Sequence, residues 1–347
     1  MSSIISNKVT TCKVTAYICT RNREDSTLAL AIQSVLTQSY PVSQLIIYDD
    51  GSHKDLRAIP HYANLFAMMQ RKGIDWSVEF SNNKGQVCNH RRALNQAKHP
   101  FIWRIDDDDV AEPNVLRLLM DFIHQPGVGA VGGLVLDPTR NMVMPEMASN
   151  KIEDIYLGLN RQWFKYDDEV VSQEVDHLYS TFLYRKEAAK PEYYPELSRV
   201  GHREETIFTY SMKRAGWRLL VNPTAITWHL KQPSGGIRDG YKEMWELDEM
   251  KFKELLKKWK VKPTEYKIIT LDNGLGDHYV FKKILPQVKK MYPQLVMAVC
   301  FPQVFKGERL ISIAEAKMMG TTDNIYKYMV ETNNKGSLEE AYRRYYL

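Results

Sequence analysis

Apolar runs and polar breaks alternate along the first part of the chain in a repeating order. Val14–Cys19 is a strand-like run that stops at Thr20-Arg21-Asn22-Arg23, and Leu28–Leu36 then repeats apolar residues at helical spacing up to Tyr40-Pro41. Gln44–Tyr48 predicts a second strand, ending in Asp49-Asp50-Gly51-Ser52. Trp76–Phe80 predicts a third, followed by the turn Asn82-Asn83-Lys84-Gly85-Gln86 and a helix over about Val87–Ala97. Phe101–Ile105 predicts a fourth strand, which runs into four consecutive carboxylates, Asp106 to Asp109. Pro113 then opens a helical pattern through Leu116, Leu119 and Ile123. This order is that of an α/β fold, a parallel sheet covered by helices. Ligands of such sheets sit outside the carboxyl ends of the strands, so Thr20, Asp49 and Asp106 are expected to converge on one site.

Further along, Val128–Leu136 predicts a glycine-broken strand, and Met142–Val171 has no clear period but carries Trp163, Phe164 and Tyr166. Val175–Arg185 predicts a strand, Gly201–Gly216 a helix with Glu204 and Glu205 near its start, and Leu219–Thr227 a strand that leads to His229. The glycine-rich stretch Gln232–Gly240, with Arg238, fits a lid or a linker. Tyr241–Lys262 is a lysine-rich amphipathic helix ended by Pro263. A strand over Tyr266–Leu271, the turn Gly274-Leu275-Gly276-Asp277, a helix over His278–Tyr292, a strand over Leu295–Phe301 and a helix over Ser337–Tyr346 predict a small α/β unit. The expected domains are 1–240, a connecting helix 241–263, and an accessory domain 264–347 for acceptor recognition or oligomerisation.

Composition adds bounds. Of 347 residues 44% are hydrophobic and 26% charged, enough to bury an ordinary core, and a net charge of +5 permits an anionic partner without requiring one. Four cysteines, Cys12, Cys19, Cys88 and Cys300, lack zinc-site or disulfide-framework spacing, which suits a reducing cytoplasm. The polar N-terminus lacks the core of a signal peptide, and the longest apolar run, Val128–Leu136, falls short of the ~18–20 residues that span a bilayer.

Four adjacent carboxylates repel one another, so folding must leave them solvated, partly protonated or sharing a cation. With hard oxygen ligands and no clustered Cys, that cation would be Mg2+ or Mn2+, which also bind phosphate. A glycine turn before a helix, here Lys84-Gly85, can receive an anion, aided by His90, Arg91 and Arg92; a solvated basic helix face is the alternative. Glu204 and Glu205 suit helix capping or acid–base work, and His229 a structural or a ligand role.

The order Thr20-Arg21-Asn22-Arg23, Ser34–Pro41, Tyr48-Asp49-Asp50-Gly51-Ser52, Asn83-Lys84-Gly85 and Ile105–Asp109 with Pro113 resembles the family 2 glycosyltransferases of the GT-A fold, over about residues 12–232. The resemblance implies a Rossmann-like, mostly parallel mixed sheet with helices on both faces. It places Thr20, Arg21, Asp49 and Asp50 around the nucleoside, and Asp106, Asp108 and His229 around the metal. Arg23, Lys84, Gly85, Arg91, Asp107 and Arg238 are expected to complete the donor site, although His90-Arg91 stands where many members have Arg-Asn. Glu205 falls at the position of the general base, with Glu204 as substitute. With no second carboxylate placed for a covalent intermediate, inversion is the simpler outcome. Gly274–Asp277 is similar to the opening of heptosyltransferase-like GT-B enzymes, whose second half this chain lacks, and Asp277 is a minor candidate.

The implied function is metal-dependent transfer from a nucleotide sugar, most often a UDP-sugar, to a glycan hydroxyl. A hydroxymethylated DNA base is the second acceptor considered, since the layout also resembles bacteriophage glycosyltransferases; the site would then be the host cytoplasm. A silent binding module would keep the fold but lose the acids at 106, 108 and 205, and a nucleotidyltransferase would need a glycine near Thr20–Asp25, where there is none.

Overall fold

A computed structural model describes residues 12–136, 151–157, 173–194, 196–232, 234–237, 242–318 and 323–347. Trp163, Phe164, Tyr166 and Arg238 lie outside the described residues. The chain divides into two compact units, Met1–Asn141 with Asp167–Lys260, and Met142–Tyr166 with Val261–Leu347.

In the first unit, β1 (Val14–Thr20), β2 (Gln44–Asp49), β3 (Asp75–Phe80) and β4 (Phe101–Asp106) pair in parallel in the order β3-β2-β1-β4. β1 and β2 are buried on both faces, as continuous apolar runs in a helix-covered sheet should be, whereas β3 is half-exposed at the sheet edge. The helices α1 (Leu28–Leu36), α2 (Pro60–Arg71) and α3 (Gln86–Gln96) link these strands. The sequence pattern above leaves α2 out, although Tyr62, Leu65, Phe66 and Met69 recur at helical spacing behind Pro60 at the first helical turn.

After the acidic turn come β5 (Asp109–Ala111), α4 (Val115–Ile123), β6 (Val128–Leu136), β7 (Gln173–Val175), β8 (Phe182–Arg185), α5 (Glu204–Arg214), β9 (Arg218–His229) and α6 (Lys242–Lys258). The sheet continues β4-β8-β6-β9-β5, with β8 antiparallel to β4 and β6, and with β5 and β7 antiparallel to β9. It is thus a mixed sheet whose longest ladders are parallel. Gly133 lies at a register shift in the β6–β9 ladder, and a Cβ there would fall 2.0 Å from the Ala225 carbonyl oxygen. That close approach explains the glycine break in β6.

The single strand expected over 175–185 is instead two strands separated by Asp176–Thr181, whose last two residues turn their hydroxyls toward Asp109. Helix α6 buries Phe252 and Leu256 but leaves Leu247 and Met250 exposed. Its buried carboxylate, Asp248, accepts the Ser198 amide at 2.6 Å, the Ser198 hydroxyl at 2.7 Å and the His202 amide at 3.0 Å, which pins the helix beside the loop leading into α5.

The second unit holds the parallel strands β10 (Lys267–Leu271), β11 (Leu295–Val299) and β12 (Leu310–Ile311). Around them lie α7 (Leu275–Met291), α8 (Ile313–Met318), α9 (Ile325–Glu331) and α10 (Leu338–Tyr346). Phe281 of α7 meets Phe305, Tyr342 and Tyr346 edge-on in its core. Residues 151–157 belong here, the Thr264 amide bonding the Glu153 carbonyl. Helix α7 starts three residues before the expected His278. Asp277 accepts the Gly274 amide at 2.9 Å, closing the first turn, and the Tyr326 hydroxyl at 2.7 Å. Among the described residues no helix is long and apolar enough to cross a membrane.

Candidate active site

Strand β4 ends where its apolar face gives way to Asp106-Asp107-Asp108-Asp109, and the fold gives each carboxylate its own set of partners, with His229 shared by Asp108 and Asp109. Asp106 lies 3.6 Å from the Arg104 guanidinium. Asp107 accepts the Thr20 hydroxyl at 2.7 Å; burial, then the charge of Asp108, pushes it up to about 7. Asp108 lies 3.7 Å from Arg23 and 3.5 Å from His229 Nδ1. Asp109 is fully buried, bonded to His229 Nδ1 at 2.8 Å and to the Thr181 hydroxyl, and burial raises its pKa. Partial protonation and shared cations therefore both contribute to holding the run together.

Strand pairing explains why His229 is present. β5 runs antiparallel to β9, with Asp109 opposite His229 in the register, and Asp108 is anchored by its carbonyl to the Leu230 amide at 2.8 Å. Burial opposes charge on His229, but the Asp109 bond and the charges of Asp109, Asp108 and Asp106 prevail and raise its pKa to about 9. One ligand atom each from Asp108, Asp109 and His229 lies within 4.8 Å of the others. Two carboxylates and an imidazole form a donor set that fits Mn2+ or Mg2+. The sequence expectation for this set was Asp106, Asp108 and His229. The structure brings together Asp108 and His229, with Asp109 as the third member, while Asp106 turns toward Arg104.

A cleft of about 280 Å³ opens beside the acidic turn, lined by Cys19, Arg23 and Gln86, by Asp106 to Asp108 and His229, and by Gly235 to Ile237. The Gly235-Gly236 segment straps Arg23. The Gly236 amide bonds the Arg21 carbonyl at 2.7 Å, the Arg23 guanidinium bonds the Gln232 carbonyl at 3.1 Å, and both glycines have positive φ. A Cβ on Gly235 would fall 2.3 Å from the Asn22 carbonyl oxygen, so the strap depends on glycine.

Beneath the cleft is a sealed network. Arg104 is fully buried and forks onto Glu204, Nη1 to Oε2 at 2.9 Å and Nη2 to Oε1 at 2.5 Å. Gln86 donates to Glu204 Oε1 at 3.2 Å, and His90 Nε2 lies 3.3 Å from the same oxygen, outside hydrogen-bonding geometry. Burial disfavours the Glu204 charge, but the Arg104 guanidinium outweighs it and holds the carboxyl well below the usual range. Burial and Arg104 together push His90 down, so its ring is neutral. Glu205 is buried on the first turn of α5, next to this pair. Arg104 and Asp109 drew no role from sequence. The available signal was a cation inside an apolar strand, which requires a partner.

Other expected residues lie elsewhere. Asp50 is fully buried and accepts the Ser81 hydroxyl and the Lys84 and Gly85 amides at 2.7 to 2.9 Å, so the amides of the glycine turn are already engaged by a carboxylate. Asp49 is also fully buried, accepting the Gly51 and Ser52 amides; burial raises its pKa. Arg21 reaches Asn83 at 2.9 Å, Lys84 is exposed, and Arg91 bonds the Tyr194 carbonyl rather than facing the cleft.

Residues 15–190 match the family model described as glycosyl transferase family 2. The chain belongs to this family. The matched span of this family 2 glycosyltransferase contains the acidic turn, whereas Glu205 and His229 lie beyond it and are tied to the turn by the Arg104–Glu204 and Asp109–His229 contacts. An N-acetylglucosaminyltransferase of Bradyrhizobium diazoefficiens is 27% identical over 122 residues, 35% of this chain and 24% of the relative. A poly-beta-1,6-N-acetyl-D-glucosamine synthase of Staphylococcus epidermidis is 20% identical over 210 residues, 60% of this chain and 47% of the relative. The chain thus matches 24% and 47% of the length of these two relatives. The crystal structure of S. aureus TarS 1-349 in complex with UDP-GlcNAc superposes with a TM-score of 0.51 at 17% identity, covering 70% of this chain and 66% of that one. The likeness is one of fold, and the fold is GT-A.

Proposed function

We propose that the protein is an inverting glycosyltransferase that moves a sugar from a UDP-sugar to a glycan hydroxyl, with Mn2+ or Mg2+ held by Asp108, Asp109 and His229. The acidic turn carries this reading: its carboxylates stand at a strand's carboxyl end, beside a cleft, with Arg23 as the facing cation. The bound metal ion would stabilise negative charge on the departing diphosphate. Arg23, held by the glycine strap, is placed to pair with a phosphate oxygen. Glu205 takes the proton of the acceptor hydroxyl as its oxygen attacks the anomeric carbon, while the bond from that carbon to the phosphate oxygen breaks and UDP leaves. Glu204 is unsuited to this step because Arg104 and Gln86 occupy its oxygens.

UDP-GlcNAc is the first donor to test, given the names of the relatives and the TarS complex. The melting temperature of the full chain, measured with nucleoside diphosphates and UDP-sugars with and without Mn2+, should rise only when UDP or a UDP-sugar and metal are both present. At a hundred times Kd the stabilisation is about 2.7 kcal/mol. No shift with any combination would overturn the proposal. An acceptor screen with glycans and hydroxymethylated DNA then distinguishes the two acceptor classes.

A further inference from the structure

We infer that Arg104 is a positioning residue for the transfer reaction: its guanidinium ties the start of the helix that carries Glu205 to the acidic turn. The inference rests on reading Glu205 as the base. Arg104 and Asp106 are two residues apart on β4 and so share one face of the strand. From that face Arg104 reaches α5 through the two-point contact with Glu204, while its Nη2 remains 3.6 Å from Asp106 Oδ1. A two-point guanidinium–carboxylate fork fixes orientation as well as distance, which a point charge does not.

The surroundings reinforce the link. Gln86, on the first turn of α3, donates to Glu204, and Phe182 of β8 has its ring 5.5 Å below the Arg104 guanidinium carbon. Two secondary-structure elements, β4 and α3, therefore converge on the carboxylate that immediately precedes Glu205 in sequence, and a third, β8, backs the guanidinium. Stability alone does not call for such a pair, since well-packed apolar residues of similar volume commonly replace a buried ion pair without loss. What apolar residues do not supply is a fixed angle between α5 and the acidic turn. Displacing a reacting group by about 1 Å can cost roughly 10²-fold in rate.

The test compares wild type with the full-length double variant Arg104→Met, Glu204→Leu, and with Arg104→Lys, which keeps the cation but not the fork. The readouts are melting temperature, amide hydrogen exchange at residues 106–109 and 204–207, and hydrolysis of UDP-GlcNAc with Mn2+. Expected for the double variant are a melting temperature within a few degrees of wild type, exchange faster by at least about tenfold in both segments, and kcat lower by roughly 10²-fold with KM little changed. Arg104→Lys should show the same split and fail to rescue kcat. Wild-type exchange and kcat in a folded double variant would overturn the inference, and so would wild-type exchange and kcat in Arg104→Lys if the double variant does not fold. Should wild type itself fail to hydrolyse the donor, the donor reading fails, and hydrogen exchange alone decides whether the link holds the two segments.

Discussion

His90 and His229 each place a ring nitrogen close to a carboxylate, at 3.3 and 2.8 Å, yet they settle in opposite charge states. His90 is pushed down and stays neutral; His229 is raised to about 9. His229 is hydrogen-bonded to its carboxylate where His90 Nε2 is not, and the surrounding charges differ as well. Glu204 is already matched by Arg104, so a proton on His90 would be an uncompensated charge in a sealed interior. Asp106 to Asp109 outnumber the cations that face them, so a proton on His229 is welcome. The molecule thus has a balanced half that fixes geometry and an acidic half with negative charge to spare. Only the second is suited to receive a cation.

The largest break in this comparison is expected from the adjacent acids Glu204 and Glu205. Glu205→Gln should lower kcat for UDP-GlcNAc hydrolysis by roughly 10²- to 10⁴-fold and leave the melting shift with UDP and Mn2+ intact. Glu204→Gln should cost about 3–5 kcal/mol in urea unfolding, because it strips a buried Arg104 of its counter-charge, and should lower kcat by no more than the roughly 10²-fold expected of a loosened link. If Glu205→Gln destabilised and Glu204→Gln left stability untouched, the two roles would be reversed.

Asp108→Asn probes the acidic half. It should cut kcat by roughly 10²- to 10³-fold and abolish the metal-dependent melting shift. It should also raise the melting temperature of the metal-free protein by a few degrees, since one of several repelling charges is removed. A wild-type metal response in this variant would remove Asp108 from the site.

Much of the fold was legible because its signals are local. Continuous apolar runs such as β1 and β2 have to be buried on both faces, and an acid cluster at the end of such a run has to meet solvent, protons or cations. The pairing of Asp108 with His229, 121 positions on, came from resemblance, and the two stand 3.5 Å apart. What stayed illegible depends on residues far apart in sequence. Arg104 makes sense only once Glu204, a hundred positions later, is folded against it. The Lys84-Gly85 turn has an anion-binding sequence, but its amides are taken by Asp50 from the neighbouring strand's end. Asp109, buried opposite His229, joins the candidate metal-ligand set through strand register, which the run of four identical side chains does not reveal.

The smallest expected effect concerns the outer surface of the same helix start. Glu249 of α6 accepts from Arg203 Nε at 3.0 Å and lies 3.1 Å from His202 Nε2, just before Glu204. Burial works against its charge, but the contacts from His202 and Arg203 outweigh it and hold the carboxyl at about 2, against an ordinary 4.5. A depressed carboxylate contributes stability above its unfolded pKa and loses that contribution as pH falls through the folded value. The stability difference between wild type and Glu249→Gln should therefore be constant above about pH 5. It should narrow from about 4.5 downward and vanish near 2. Expressed as a melting temperature, it amounts to a few degrees at most. A difference that persists unchanged at pH 2 would mean that the contact is packing rather than charge. Because Glu204 is held lower still, with its partner fully buried, acid should loosen the docking of α6 while the Arg104–Glu204 link remains ionised.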